Sequence, residues 1–484
     1  MLRCLLLIAC LILPACCRTP GSQIPAVAPA PPAEVWGEGA LRAEGDGSRA
    51  RPFATLRQAL IHAGAGGSPV RIHLTPGRYP GPFVLPAGLE LVGEGEGAVL
   101  HGEGEGPVVR APEGATLKGL GVQGGSWGLE AAGPVRLESV RFSGQRAGAV
   151  RMEVGRLTVV GSGFEAGGPE AVGLLLAGGV RAEVREGRFT GAYKRGVEAR
   201  GAEVALEGVR FDGPGTALYQ VEGQVRVLRS AVAGGREPGL SVQRGSLRLE
   251  DVTVTGHEFG LQSVEATLET RGFTSVRATR AGLALIGSRG RLEDTVVLGS
   301  GSYGGLLLVG SDLELRGVRV DGADAYGIAV TRGKLRLRRA VITHLTTREK
   351  DSGDGLHLRD AEVEAEDVVV RDVAGVGVLG AQGSRVVLRN VSLEGCKEAG
   401  VQAETLGHVT AVGLEVRGSG GPALMALDDG VLRVEALTVR DNAAGLVWAD
   451  CRGETKVTLG RVTELGPTQG TLGPEASCVG RAAP

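Results

Sequence analysis

Apolar and polar positions alternate along this chain in a phrase that keeps returning, φ-x-φ-x-x-φ-x-φ-x-G with φ apolar. It stands at Leu247–Gly256 as LRLEDVTVTG, at Leu313–Gly322 as LELRGVRVDG and at Val386–Gly395 as VVLRNVSLEG, with a looser copy, AEVREGRFTG, at Ala182–Gly191. The closing glycine falls at 191, 213, 234, 256, 299, 322, 395 and 418, in steps of 21 to 23 residues or near multiples of that; His344, Asp372 and Asp441 take its place in further copies. Between these phrases sits a second one, Gly-φ-x-φ, as in Gly239-Leu240-Ser241-Val242, Gly282-Leu283-Ala284-Leu285 and Gly355-Leu356-His357-Leu358. Alternation at period two marks strands with one face buried. The slip by one residue between Leu249 and Val252 marks a bend where one sheet gives way to the next, and the closing glycine supplies the positive φ of a tight turn.

Three short strands in about twenty-two residues cannot bury an apolar face alone. Stacked coils can, because each pairs its backbone with the coil above and below and shares a continuous interior. The pattern therefore predicts an all-β, right-handed parallel β-helix with an N-terminal capping helix. At about 4.8 Å per coil, roughly 17 to 19 coils make a rod on the order of 85 Å long. A β-propeller needs about 40 residues per blade, and a leucine-rich repeat needs a recurrent Asn. Only Asn390 and Asn442 are present here.

Composition supports a solenoid over a globular core. Glycine accounts for 82 of 484 residues and aromatics for only 3%. The net charge of −2, with 22% charged residues, gives no basic footprint for nucleic acid. The cysteines fall into two groups: Cys4, Cys10, Cys16 and Cys17 at one end, and Cys396, Cys451 and Cys478 near the other.

The first fifteen residues, MLRCLLLIACLILPA, carry Arg3 and then an apolar run from Leu5 to Leu13, too short to remain as a bilayer span. Leu13-Pro14-Ala15-Cys16 resembles the bacterial lipobox, which implies lipidation of Cys16 and a stable acyl anchor. Cys17, where an Asp would signal inner-membrane retention, implies the outer membrane. The chain divides accordingly: a lipoprotein signal peptide (1–15), a Pro/Ala-rich tether (16–41), the β-helix with its cap (42–464) and a C-terminal cap or tail (465–484). In that tail's frame Cys451 and Cys478 are placed to form a disulfide, which an exported protein permits, leaving Cys396 buried and reduced.

Both ends of a coil stack expose strand edges and need covering. The stretch from Pro52 to Gly64, PFATLRQALIHAG, puts Phe53, Leu56, Leu60 and Ile61 on one helical face and reads as the N-terminal lid. Asp46-Gly47-Ser48, Pro52-Phe53-Ala54-Thr55-Leu56, Ala59-Leu60, Pro76-Gly77-Arg78-Tyr79 and Leu89-Glu90-Leu91-Val92-Gly93 follow one another as in the opening of the pectin-lyase-like β-helix superfamily. The resemblance implies the fold strongly. It implies little about activity, because this fold hosts lyases, hydrolases, epimerases, adhesins and spacers. The motifs of those enzymes, among them Asn-Thr-Asp, Gly-His-Gly and Asp-Pro-His-Asp, are absent from the sequence.

In the Gly-φ-x-φ strand the x residue points outward. Down the stack this column reads Glu198, Tyr219, Ser241, Gln262, Ala284, Leu307, Ala329, His357, Gly377, Gln402, Met425 and Val447. It lacks the clustered carboxylates and cations of a polysaccharide-cleaving face. One coil carries an insert, Thr346 to Gly353, leading into Asp354-Gly355-Leu356-His357-Leu358-Arg359. Asp354, His357 and Arg359 are the candidate catalytic residues, as a His/Asp acid–base pair. Tyr326 and Tyr303 are the candidate sugar platforms, against the alternative of a solvated loop with ordinary surface charges. His257 and His408 stand alone, so no metal or other cofactor is expected. These readings favour a non-catalytic, outer-membrane lipoprotein presenting a rigid rod to an envelope or matrix polysaccharide or to an envelope protein. The rival is a polysaccharide lyase or glycoside hydrolase.

Overall fold

The computed structural model describes residues 33–37, 45–65, 70–95, 97–347, 352–465 and 476–481. It is a right-handed parallel β-helix of about 18 turns, with about 22 residues per turn. Every strand pairing between coils is parallel, and the register is kept from coil to coil. The segment read as a signal peptide, with Cys16 after it, lies outside the described residues.

Three sheets run the length of the rod. The first holds the Gly-φ-x-φ strands, such as Ala281–Ile286 and Asp354–Arg359. The second and third hold the two halves of the longer phrase. In the early coils these halves are separate strands, such as Arg156–Val160 and Gly163–Glu165. From Ser246–Thr255 onward they run on as one strand bent in the middle. The bend is a single left-handed residue, with φ of 54° at Asp251, 56° at Asp367 and 52° at Asn390. A second left-handed residue closes the phrase. Gly256 and Gly322 supply it at 71° and 75°, while His344, Asp372 and Asp441 adopt it at 54°, 53° and 52°. Asp and Asn tolerate this region because their short polar side chains bond locally.

The glycine opening Gly-φ-x-φ answers a different need. A Cβ on Gly282 would stand 2.6 Å from the Val297 side chain and 2.8 Å from the Gly305 carbonyl oxygen. Gly196 faces Phe211 in the same way, and Gly327 faces Ile342. The first sheet therefore approaches the third across the core at a distance only glycine allows. The third sheet answers with an interior ladder in register, Phe142, Phe164, Phe189 and Phe211. Neighbouring rings stack at 5.5, 4.5 and 4.7 Å.

The ends are closed as the edge argument requires, with differences in detail. The solenoid begins earlier than expected. Ala33–Gly37, within the segment read as tether, is a strand paired residue for residue with Val70–Leu74. Val35 and Gly37 are buried there, so even a short alternation suffices once the first coil offers an edge. The lid helix is Leu56–Ala65, and the Thr55 hydroxyl accepts the Gln58 amide at its start. It buries Leu56, Ala59 and Ala63, whereas Ile61 is 75% exposed. Small alanines let the helix sit close on the coil, and this turns Ile61 outward. At the far end Cys451 is disulfide-bonded to Cys478 across a separation of 27 residues. The bond pins Val479–Arg481 onto Val457–Leu459 and is worth about 3.5 kcal/mol on loop-closure grounds. Cys396 is a free, buried thiol that burial pushes up to about 12. Among the described residues no helix is long and apolar enough to cross a membrane.

Candidate binding groove

The outward column of the first sheet follows the expected register with two corrections. His357 pairs with Leu379, not Gly377, and Met425 pairs with Trp448, not Val447. In the last coil Leu446 occupies the place that Gly400 and Ala423 hold in the coils before it, which shifts the frame by one. Val447 therefore points into the core and Trp448 outward.

Between Tyr219 and Leu307 this column is the floor of a groove of about 1060 Å³. Four coil steps give it a length of about 19 Å. Ser241, Gln262, Ala284 and Leu307 follow Tyr219 in register, and Gln243 and Ile286 flank them. One wall is raised by the turns that follow the closing glycines, notably Gly234 to Pro238 and Gly301 to Gly304. Under this overhang Ser241 and Ala284 are only 4% and 2% exposed although they face away from the core.

Stacked arginines and aromatic rings form the rim. The Arg195 guanidinium lies 3.7 Å from the Tyr219 ring centre and 2.6 Å from Glu198. Arg280 lies 4.3 Å from the centre of Tyr303 and 5.6 Å from that of Phe259. It is bound to Glu258 at 2.6 Å and also donates to the Tyr303 hydroxyl. The hydrogen bond that Arg280 donates to Glu258 is the main reason the guanidinium is held above its ordinary value. Lys194 pairs with Glu170 at 2.7 Å. Tyr193 also lines the groove at 3% exposure, and its buried hydroxyl has no hydrogen-bond partner among the described residues. Burial first, then the charge of Glu165, pushes that phenol up. A ring flanked by cations, with amide and hydroxyl groups on the floor, can hold a ligand that has both a C–H face and a polar rim.

The candidate residues from the sequence part company. Tyr303 belongs to this groove, against Arg280 and Phe259. Tyr326, on the next coil, comes together with Asp354 and His357 on the coil after it. Tyr326 is the register neighbour of Asp354, and its ring centre is 4.3 Å from that of His357. Asp354 and His357 are 3% and 4% exposed, so they are not loop residues in solvent. Arg359 shares their strand and their outward face. Among the described residues no group of three or more His, Cys, Asp or Glu side chains is placed to hold a metal ion. The floor and rim of the groove, Tyr219, Phe259, Arg195 and Arg280, were not singled out as a site from the sequence. Arg195 and Arg280 each stand just before a Gly-φ-x-φ strand, Arg195 directly and Arg280 one residue earlier, and that shared placement is the one signal that marks them.

No family model matches the chain, and no curated protein matches it. Among solved structures it is similar to the catalytic unit of a thermostable GH87 α-1,3-glucanase from Streptomyces thermodiastaticus strain HF3-3. That match has 13% identity and a TM-score of 0.25, covering 93% of this chain and 71% of that one. It is also similar to a chain of the Vag8–C1 inhibitor complex, at 17% identity and a TM-score of 0.44, covering 90% and 100%. The N-terminal fragment of bacteriophage Phi29 gene product 12 matches at 9% identity and a TM-score of 0.32, covering 89% and 91%. At these TM-scores the likenesses carry no argument about what this chain binds.

Proposed function

We propose that this protein is a non-catalytic binding protein, lipid-anchored through Cys16 at the outer membrane, that holds a polysaccharide segment in the groove between Tyr219 and Tyr303. The observation that carries the reading is the rim itself: Tyr303 and Arg280 stacked at 4.3 Å above a floor of Ser241, Gln262 and Ala284. A sugar ring offers a C–H face to an aromatic side chain and hydroxyls to Gln, Ser and paired Arg–Glu groups, which both donate and accept. Glu170, Glu198 and Glu258 are each engaged by a cation. Among the described residues that leaves Glu237 as a single uncommitted carboxylate on the rim, where glycoside cleavage takes two in fixed opposition.

The test is binding of the purified protein to a panel of neutral and uronic-acid polysaccharides, with product analysis in the presence and absence of Ca²⁺. Binding that Tyr303→Ala weakens about tenfold, with unchanged thermal stability and no new reducing or unsaturated ends, is the expected result. New ends on any polymer would replace this reading with a lyase or hydrolase. Incorporation of labelled fatty acid, lost in Cys16→Ser, checks the anchor.

A further inference from the structure

Beyond the groove the outward column continues from Leu307 through Ala329 to His357. Asp354 is locked in place there: its Oδ1 accepts the Val376 amide at 2.8 Å and its Oδ2 lies 2.7 Å from His357 Nδ1. A carboxylate only accepts, so Nδ1 is the donor in this contact, and in the neutral imidazole the outward-facing Nε2 is then the acceptor. Nε2 has no hydrogen-bond partner among the described residues and is not sealed from solvent. Tyr326 covers one side of the ring.

Arg359 stands two residues on, about 6.7 Å along the same face of the strand. Its Nε is buried and has no hydrogen-bond partner among the described residues. Its register neighbours are Thr331 and Ala381, which carry no charge. Two coils on, Glu404 is engaged by Gln402 at 2.7 Å. Arg195 and Arg280, by contrast, each hold a carboxylate. A guanidinium with a buried, unsatisfied N–H beside a fixed acceptor is an incomplete hydrogen-bond set, and a ligand with an anionic oxygen and a neighbouring hydroxyl completes it.

We propose that His357 and Arg359 form a second site, separate from the groove, for a small oxyanion bearing an adjacent hydroxyl, the arrangement found in a 2-hydroxy carboxylate or hydrogen phosphate. Arg359 takes the anionic oxygens, the ligand hydroxyl donates to His357 Nε2, and Asp354 keeps the imidazole in the tautomer that accepts. No bond is made or broken.

Calorimetric titration of the full chain with glycolate, acetate and inorganic phosphate, at constant ionic strength set with chloride, tests this. Glycolate or phosphate binds, and acetate, which lacks the hydroxyl, binds at least about tenfold more weakly than glycolate. Binding of glycolate alone identifies a carboxylate ligand, and binding of phosphate alone identifies a phosphoryl ligand. Arg359→Met abolishes binding of every probe, and Arg359→Lys, which keeps the charge but not the fork, weakens it. His357→Phe removes the advantage of glycolate over acetate and leaves acetate binding as it was. Tyr303→Ala leaves glycolate affinity unchanged, which separates this site from the groove. The proposal is overturned if no probe binds, if glycolate and acetate both bind and do so with equal affinity, or if a folded Arg359→Met variant, checked by circular dichroism, binds as well as the parent.

Discussion

Two faces of the same rod, built on identical backbone pairing, carry opposite kinds of side chain. On the second sheet one outward column reads Arg248, Glu269, Arg291, Glu314, Arg336 and Glu364, alternating in sign coil by coil. The column beside it reads Arg289, Asp312, Lys334, Glu362 and Arg385. On the first sheet the column from Tyr219 to Leu379 holds one titratable imidazole, His357, and otherwise uncharged groups. The difference teaches where the rod is finished and where it is open. Charges on the second sheet satisfy one another, as in Lys334–Glu362 at 2.8 Å and Arg291–Glu314 at 3.8 Å. They also oppose a slip of one coil, which would set like charges face to face in a repeat that otherwise tolerates slipping. The first sheet gives up that protection and offers amides, hydroxyls and rings to a ligand.

The comparison can be broken most severely from inside. Gly282→Val would force side-chain atoms into Val297 and the Gly305 carbonyl beneath the groove. A loss of about 3 kcal/mol is expected, read by denaturant or thermal unfolding. A mutant as stable as the parent would show that the close approach of the first and third sheets is not required. A smaller effect should come from charge placement. Glu314→Lys puts a third cation in line with Arg291 and Arg336 and should cost about 1 kcal/mol. Gln262→Lys, between Ser241 and Ala284, should leave stability nearly unchanged and reduce polysaccharide binding instead. Equal effects of the two substitutions on stability would erase the distinction between the faces.

The smallest effect is that of a single exposed ladder pair. The hydrogen bond from Lys334 lowers the Glu362 carboxyl, and the same bond raises the Lys334 amine. The Glu362 contribution is therefore present above the ordinary carboxylate range and fades as pH falls through its lowered folded value. The Lys334 contribution is present below the ordinary amine range and fades as pH rises through its raised one. The melting difference between the parent and Lys334→Met should be small, flat around neutrality, reduced at both extremes and reduced by added salt. A difference that persists in strongly acid solution would contradict the assignment.

The repeat was legible because one physical demand, burying an aliphatic stripe on each coil, is met at the same spacing along the chain. The closing residues were legible even where glycine is replaced, since His344, Asp372 and Asp441 adopt the left-handed conformation their positions imply. The frame departs from the pattern at Gly377 and Val447, where a glycine sits one or two residues from its usual place, because local pattern carries no information about the neighbouring coil. Ile61 turns outward for a related reason: helical periodicity gives a face, but the alanines decide which edge of that face lies against the coil. The early start at Ala33 was hidden because five residues of alternation count for little until an edge is there to pair with.

By itself, the order of apolar residues and glycines determined a stacked solenoid, its coil length, its turns and the need for a lid, since each depends on residues within one coil. Which side chains stand together along the rod was decided by tertiary structure alone. Arg280 meets Tyr303 across 23 positions, whereas the ring of Tyr326, the nearest aromatic residue to Tyr303 in the chain, packs against His357. The physical reason is that a groove is read down the stack, across residues about twenty-two apart, and its depth is set by how far each intervening turn rises above the sheet.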